Sequence, residues 1–237
     1  MFKLLKDHIV NEDTMAQLAK RHGRLIPQNW KQEKVVKIAN VYGDNPEQRG
    51  HKTCNALPPH TDRGSLVLMA CAKQCSIGGF TKFAKFEYIY EYLLRNNPEV
   101  LPYLYDGFYL GMQDEDVIST YRIPVIYKVD GNPAVFFVEP YIRRGAYLSG
   151  IKLSEGEEHA IKVLNKVYEM FRFSIRLEPG QVLIWDNKKY LHSRDAFTPE
   201  SERLLYRVWI DDKPKLRKDM KDFICPEKYG NGMRLVE

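Results

Sequence analysis

The spacing of apolar residues changes period several times along the 237-residue chain, and each change marks an element. Met15, Leu18, Ala19 and His22 recur on one side of a helix that Thr14 is placed to cap, and residues 35–42 read as a strand ended by Gly43-Asp44. Residues 66–72 form a continuous apolar run, short for a helix. It enters Gly78-Gly79-Phe80-Thr81-Lys82-Phe83, which predicts a tight bend returning into a second strand. Phe86, Ile89, Tyr90, Leu93 and Leu94 return at helical spacing and stop before Pro98. Residues 122–138 predict a hairpin turning at Asp130-Gly131. Ser154 and Glu157 form a capping-box pair opening a helix with Ala160, Ile161, Leu164, Val167, Tyr168 and Phe171 on one face. Further strands are predicted at 173–177, at 181–185 after the Pro179-Gly180 turn, and at 204–210.

Strands dominate the second half, helices interrupt them, and neither βαβ alternation nor a glycine-rich phosphate loop occurs. The fold class that fits is mainly β with flanking helices, a double-stranded β-helix (jelly-roll, cupin-like) barrel. One domain is expected over 1–237: a short N-terminal helix and strand region, 1–56, packed on the barrel, a core over 57–212, and a C-terminal extension over 213–237.

With 44% hydrophobic and 28% charged residues, the chain can bury an ordinary core without disulfides. Cys54, Cys71, Cys75 and Cys225 follow no C-x-x-C pairing, and no early apolar stretch has the length of a signal or membrane segment, so a cytoplasmic, membrane-free protein is expected. The net charge of +5 is spread among acids, and the basic run over 213–221 contains Asp219 and reads as a solvated face, which disfavours nucleic acid as a partner. Nothing in the pattern fixes the number of subunits.

Candidate chemistry begins at His60-Thr61-Asp62. In an extended segment, residues i and i+2 project to one face, so His60 and Asp62 can offer a nitrogen and an oxygen to one ion. With six histidines and 31 acids, roughly 0.8 chance matches to H-x-[DE] are expected, so the motif alone decides nothing. Pro58-Pro59 stiffens the approach, and an apolar strand follows, as at the rim of a barrel. A third ligand must be distant in sequence and near in space. His192 follows Trp185-Asp186-Asn187, and a jelly roll brings early and late strands to one mouth. Two histidines and one carboxylate suit a non-haem Fe(II) site with open positions, whereas a lone His192 would be an ordinary structural histidine.

Arg203 lies eleven positions beyond His192, and Arg207 four further on with same-face parity along a strand. Two guanidiniums aimed into a barrel are costly unless an anion meets them, and a dicarboxylate would do so through bidentate pairing. The competing reading is a pair of surface salt bridges to Glu200 or Glu202.

Taken together, Leu57-Pro58-Pro59-His60-Thr61-Asp62, Gly78-Gly79-Phe80-Thr81, the run from Pro179-Gly180 to Trp185-Asp186-Asn187, His192-Ser193-Arg194-Asp195-Ala196-Phe197 and Arg203-Leu204-Leu205-Tyr206-Arg207-Val208-Trp209 resemble the taurine dioxygenase and clavaminate synthase-like superfamily of Fe(II)/2-oxoglutarate oxygenases, in that family's order. The resemblance implies that His60, Asp62 and His192 bind Fe(2+), that Thr81 and Arg203 hold the far carboxylate of 2-oxoglutarate, and that Arg207 lies near the co-substrate's other carboxylate or the substrate's anionic group. It implies a dioxygenase that consumes O2 and 2-oxoglutarate, releases succinate and CO2, and hydroxylates an unactivated C–H of a small molecule, an amino acid or its derivative, with desaturation or cyclisation as alternative outcomes. Asn187 and Trp185 read as supporting or packing residues.

Arg143-Arg144, Tyr141, Tyr147 and the acidic loop over 113–116 are candidates for substrate recognition, each with a plain alternative as exposed loop groups. Two readings compete with the oxygenase: a zinc-binding module using His51, Cys54 and His60, or Cys71 and Cys75, and a cupin-like binding protein without turnover.

Overall fold

The computed structural model describes residues 1–45, 48, 50–112, 116–213, 216, 218–224 and 233–235; Cys225 and most of the 113–116 loop lie outside them. In chain order the strands are β1 (Phe2–Leu5), β2 (Arg24–Ile26), β3 (Val35–Ala39), β4 (Leu57–His60), β5 (Leu66–Lys73), β6 (Thr81–Lys85), β7 (Val117–Ser119), β8 (Ile126–Val129), β9 (Asn132–Val135), β10 (Phe173–Ile175), β11 (Val182–Asp186), β12 (Tyr190–Arg194), β13 (Leu204–Asp211) and β14 (Met233–Leu235). The α-helices are α1 (Glu12–Lys20), α2 (Phe86–Asn96), α3 (Leu101–Asp106), α4 (Glu139–Ser149), α5 (Glu155–Phe171) and α6 (Lys218–Ile224).

Two sheets face each other. One runs β1-β11-β5-β13-β2 with β3 also paired to β13, the other β10-β6-β12-β4. Removing the flanking β1 and β2 leaves β11-β5-β13-β3 opposite β10-β6-β12-β4, the two interleaved four-stranded sheets of a jelly roll. The N-terminal region thus contributes strands to the barrel itself: β3 completes one of the two sheets.

The apolar run of β5 is explained by its place. It is flanked by β11 and β13, and both of its faces are covered. Leu66, Leu68 and Ala70 turn outward with Val182, Ile184, Val208 and Ile210 to meet Met15 and Ala19 of α1. Val67, Met69 and Cys71 turn inward with Leu183, Trp185, Leu205 and Trp209 to meet Phe83 of the opposite sheet. Residues 86–172 are inserted between β6 and β10, and their helices cover the outer face of the second sheet, where Ala84 and Leu191 join the largest apolar cluster.

Several local expectations shift. Asn11, not Thr14, is the N-cap of α1; Thr14 stands three residues in and completes the box by returning its hydroxyl to the Asn11 backbone. The Ser154–Glu157 box opens α5 as expected. The Asp130-Gly131 turn is in place, both residues at positive φ, with shorter strands than the pattern suggested. Arg143 and Arg144, expected on a loop, stand on α4. The 181–192 stretch is two strands, β11 and β12, separated by a turn through Asn187. Among the described residues, no helix is long and apolar enough to cross a membrane.

Candidate metal centre and anion pocket

His60 ends β4 and sits directly across from His192 on β12, so the pairing of two strands distant in sequence sets the two imidazoles side by side, ring centres 4.2 Å apart. Asp62 follows two residues later in a loop held by side-chain bonds. The Asn187 side chain accepts from the Asp62 backbone N–H at 3.1 Å and donates to the carbonyls of Asp62 at 2.6 Å and Gly64 at 2.8 Å. Thr61 exchanges bonds with the backbone of Phe137, its N–H donating to that carbonyl at 2.7 Å and its hydroxyl accepting from that N–H at 3.0 Å. One ligand atom from each of His60, Asp62 and His192 lies within 4.8 Å of the others, and among the described residues this is the group of three or more such side chains that could hold a metal.

The electrostatics fit a divalent cation with nitrogen and oxygen donors. His60 Nδ1 donates to the Pro58 carbonyl at 2.8 Å, which leaves Nε2 with the lone pair. Burial lowers the pKa of His60 against the opposing pull of Asp62, and lowers that of His192 well below the usual value, helped by His60 and Arg207, so both rings are neutral and able to bind metal. Asp62 Oδ2 is buried without a hydrogen-bond partner and faces His192 Nε2 at 3.6 Å. A buried carboxylate oxygen left in that state is costly unless a cation meets it. The other oxygen, Oδ1, accepts from Arg207 Nη1 at 2.7 Å. Behind His192, Phe83 stacks at 5.9 Å and Trp185 meets it edge-on at 5.1 Å, giving the centre an apolar back wall.

Two hollows meet at this centre. The larger, about 340 Å³, is lined by His60, Asp62, Gln28, Thr53, Tyr141 and Trp209 among others. The narrower, about 30 Å³, is lined by His60, His192, Thr81, Arg194 and Arg203. His60 and Arg207 belong to both walls.

Thr81 and Arg203 both line the narrow hollow together with His60 and His192. Arg203 is 2% exposed, donates to the Gly79 carbonyl at 3.4 Å and to Gln74 at 3.3 Å, and keeps Nη1 buried without a partner. It is not paired to Glu200 or Glu202; Glu202 pairs with Lys73 instead. Gly79 makes room for it, since a Cβ there would come within 3.0 Å of Arg203 Nε. Arg207 enters the same barrel but is committed to Asp62 and, through Nε at 2.8 Å, to Gln28. Arg203 and Arg207 line the same narrow hollow, and Leu205 and Trp209 turn inward with them, so the same-face parity holds; the register shift at Leu204/Leu205 passes over Ala72 of β5.

Other candidates are placed elsewhere. Arg143 is tied to Glu139 and Glu158, Arg144 to Asp116, and Tyr147 is exposed, whereas Tyr141 lines the larger hollow. Cys54, Cys71 and Cys75 are buried free thiols, and burial raises the Cys71 pKa to about 11, which opposes the thiolate that zinc would need. Sequence reasoning missed Arg194 and Gln28. Arg194 stands two residues beyond His192 on one strand, and that spacing was signal enough to find it.

The family model described as "Taurine catabolism dioxygenase TauD, TfdA family" matches residues 2–209. FR-33289 synthase of Streptomyces rubellomurinus is 27% identical over 205 residues, covering 80% of this chain and 60% of that protein. The taurine hydroxylase-like protein SAT17 of Stachybotrys chartarum is 27% identical over 190 residues, 69% of this chain and 46% of that protein. The chain thus spans less than two thirds of the length of these curated relatives. Among solved structures, asparagine oxygenase in complex with Fe(II), 3-hydroxyasparagine and succinate superposes with TM-score 0.70 at 17% identity, covering 84% of this chain and 63% of that one. The non-haem iron oxygenase OrfP in complex with Fe and alpha-ketoglutaric acid does so with TM-score 0.63 at 16% identity, covering 84% and 64%. With 208 of its 237 residues (2 to 209) under one family model and a jelly-roll barrel shared with these structures, the chain belongs to the TauD/TfdA family.

Proposed function

We propose that the protein is a non-haem Fe(II)- and 2-oxoglutarate-dependent dioxygenase that hydroxylates an unactivated C–H of a small molecule, an amino acid or amino-acid derivative. The observation that carries this reading is the buried Asp62 oxygen without a partner, held among two neutral imidazoles at the junction of two hollows, one of them lined by a guanidinium without a carboxylate. His60, Asp62 and His192 would hold the iron, and Thr81 and Arg203 the distal carboxylate of the keto diacid. When bound, the iron and keto diacid supply oxidative decarboxylation to succinate and CO2, coupled to oxidation of an aliphatic C–H by O2.

The chain's own residues do the positioning. Arg207 occupies one Asp62 oxygen and so leaves the other to the metal, and Asn187 fixes the loop from which Asp62 projects. The stacked Phe83 and Trp185 exclude water from behind His192. The 340 Å³ hollow opening on His60 and Asp62 has the size of a small-molecule site. The assignment to amino acids draws on asparagine oxygenase and on OrfP, whose structures hold hydroxylated asparagine and arginine.

The test is a succinate-release screen of the iron-loaded protein with O2 and 2-oxoglutarate across free amino acids and small amines. Substrate-dependent succinate with a product that has gained one oxygen atom is expected. Absence of succinate above the substrate-free rate throughout would refute the amino-acid assignment, and a product short of two hydrogens would move the outcome to desaturation or ring closure.

A further inference from the structure

Along β12 the side chains alternate: Leu191 and Ser193 face the helices of the insertion, where Tyr168 donates to Ser193 Oγ at 2.8 Å, while His192 and Arg194 turn into the barrel. The cross-strand partner of Arg194 on β6 is Thr81. Arg194 therefore lines the narrow hollow together with its cross-strand partner Thr81 and with Arg203.

Arg194 is 6% exposed. Its Nη2 donates to the carbonyls of Thr53, at 3.0 Å, and Asn55, but Nε and Nη1 are buried without a partner, as is Nη1 of Arg203. The two guanidinium carbons lie 4.9 and 5.0 Å from the centre of the same Phe197 ring. Among the described residues, neither arginine has a carboxylate partner: Asp195, next in sequence, is taken by Lys82. Arg207, the third arginine on this wall, already has Asp62. Two like charges buried together are strongly unfavourable alone, and an anion with two oxygens offers both what they lack.

We propose that Arg194 and Arg203 form a two-armed clamp on the distal carboxylate of the keto diacid, with Arg194 the arm that helps select a diacid over a keto acid with a single carboxylate. This rests on the co-substrate reading given above. The competing role for Arg194 is purely local, tying the 53–55 loop through its two carbonyl bonds.

Calorimetric titration of the Mn(II)-loaded protein with 2-oxoglutarate and with pyruvate separates them, using wild type, R203Q, R194Q and R194K. For R194Q, 2-oxoglutarate affinity should fall about tenfold or more while pyruvate affinity and Tm hold, and R194K, which keeps the charge without the planar fork, should fall between. Wild-type affinity for 2-oxoglutarate in R194Q, or equal losses for both ligands, overturns the clamp. If R194Q does not fold, a crystal structure of the wild type with 2-oxoglutarate decides. A guanidinium nitrogen of Arg194 within about 3.2 Å of a distal carboxylate oxygen supports the clamp, and a separation beyond about 4 Å overturns it. A wild type that binds no 2-oxoglutarate, or an R203Q variant that binds it undiminished, refutes the co-substrate reading itself and the clamp with it. Loss in R203Q alone refutes only the part given to Arg194.

Discussion

Arg207 Nη1 donates to Asp62 Oδ1 at 2.7 Å, and this one contact divides the carboxylate into an oxygen that is satisfied and an oxygen that faces the histidines. Both side chains are largely buried, at 12% and 4% exposure, so the pair is sheltered from solvent screening. The contact makes Arg207 a positioning residue for the metal ligand.

Replacing Arg207 by Gln should leave Asp62 without its counter-ion and Gln28 without its donor. A loss of about 3–5 kcal/mol in unfolding free energy is expected for the metal-free protein, because breaking one side of a buried pair strands the other charge. Iron affinity should fall about 10–100-fold, the usual effect of losing a group that orients a ligand. Urea denaturation and metal titration measure the two, and unchanged iron affinity in a folded R207Q would remove the positioning role.

Asn187 is the second such residue. Its amide makes three bonds to the backbone of the Asp62 loop, one accepted and two donated. N187A should cost about 1–3 kcal/mol, the range for leaving buried backbone groups unsatisfied, and should weaken iron binding. N187D should be worse than N187A, since it sets a buried negative charge against the carbonyl oxygens of Asp62 and Gly64. An N187D protein as stable as wild type would show that the Asn187 amide contributes little to holding the Asp62 loop.

Away from the centre, Glu157 gives a pH signature. Burial pushes its pKa up, but hydrogen bonds from Arg122 and from Ser154 outweigh this, and the net value lies below the ordinary 4.5. The folded protein then holds the ionised form more firmly than the unfolded chain does. The stabilisation is fully present above the unfolded pKa and is lost as pH falls through the folded one. The stability difference between wild type and E157Q should be constant near neutral pH and shrink below about pH 4.5. A difference that stays level on acidification would contradict this assignment.

The barrel and the triad were legible because each depends on patterns the sequence carries directly. The β5 run is apolar on every position because both faces are covered, and His60 and Asp62 share a face because extended chain alternates. What was not legible depends on pairing across distance. Whether Arg143 and Arg144 meet a substrate or Glu139, Glu158 and Asp116 is decided by the packing of α4, which local composition does not encode. The shared inward face of Arg203 and Arg207 followed from strand alternation, whereas the commitment of Arg207 to Asp62 and Gln28 is set by segments far apart in the chain. The inward turn of Arg194 was legible too, since its i+2 relation to His192 follows from the same alternation that sets His60 and Asp62 on one face.

The central claim is that His60, Asp62 and His192 hold one ferrous ion that a keto diacid joins directly. Anaerobic titration of the Fe(II)-loaded protein with 2-oxoglutarate, followed by visible absorption, tests it most directly. A weak charge-transfer band that saturates at one 2-oxoglutarate per chain, and that is lost in H192A, is the expected result; no band at saturation, or an undiminished band in H192A, would contradict it.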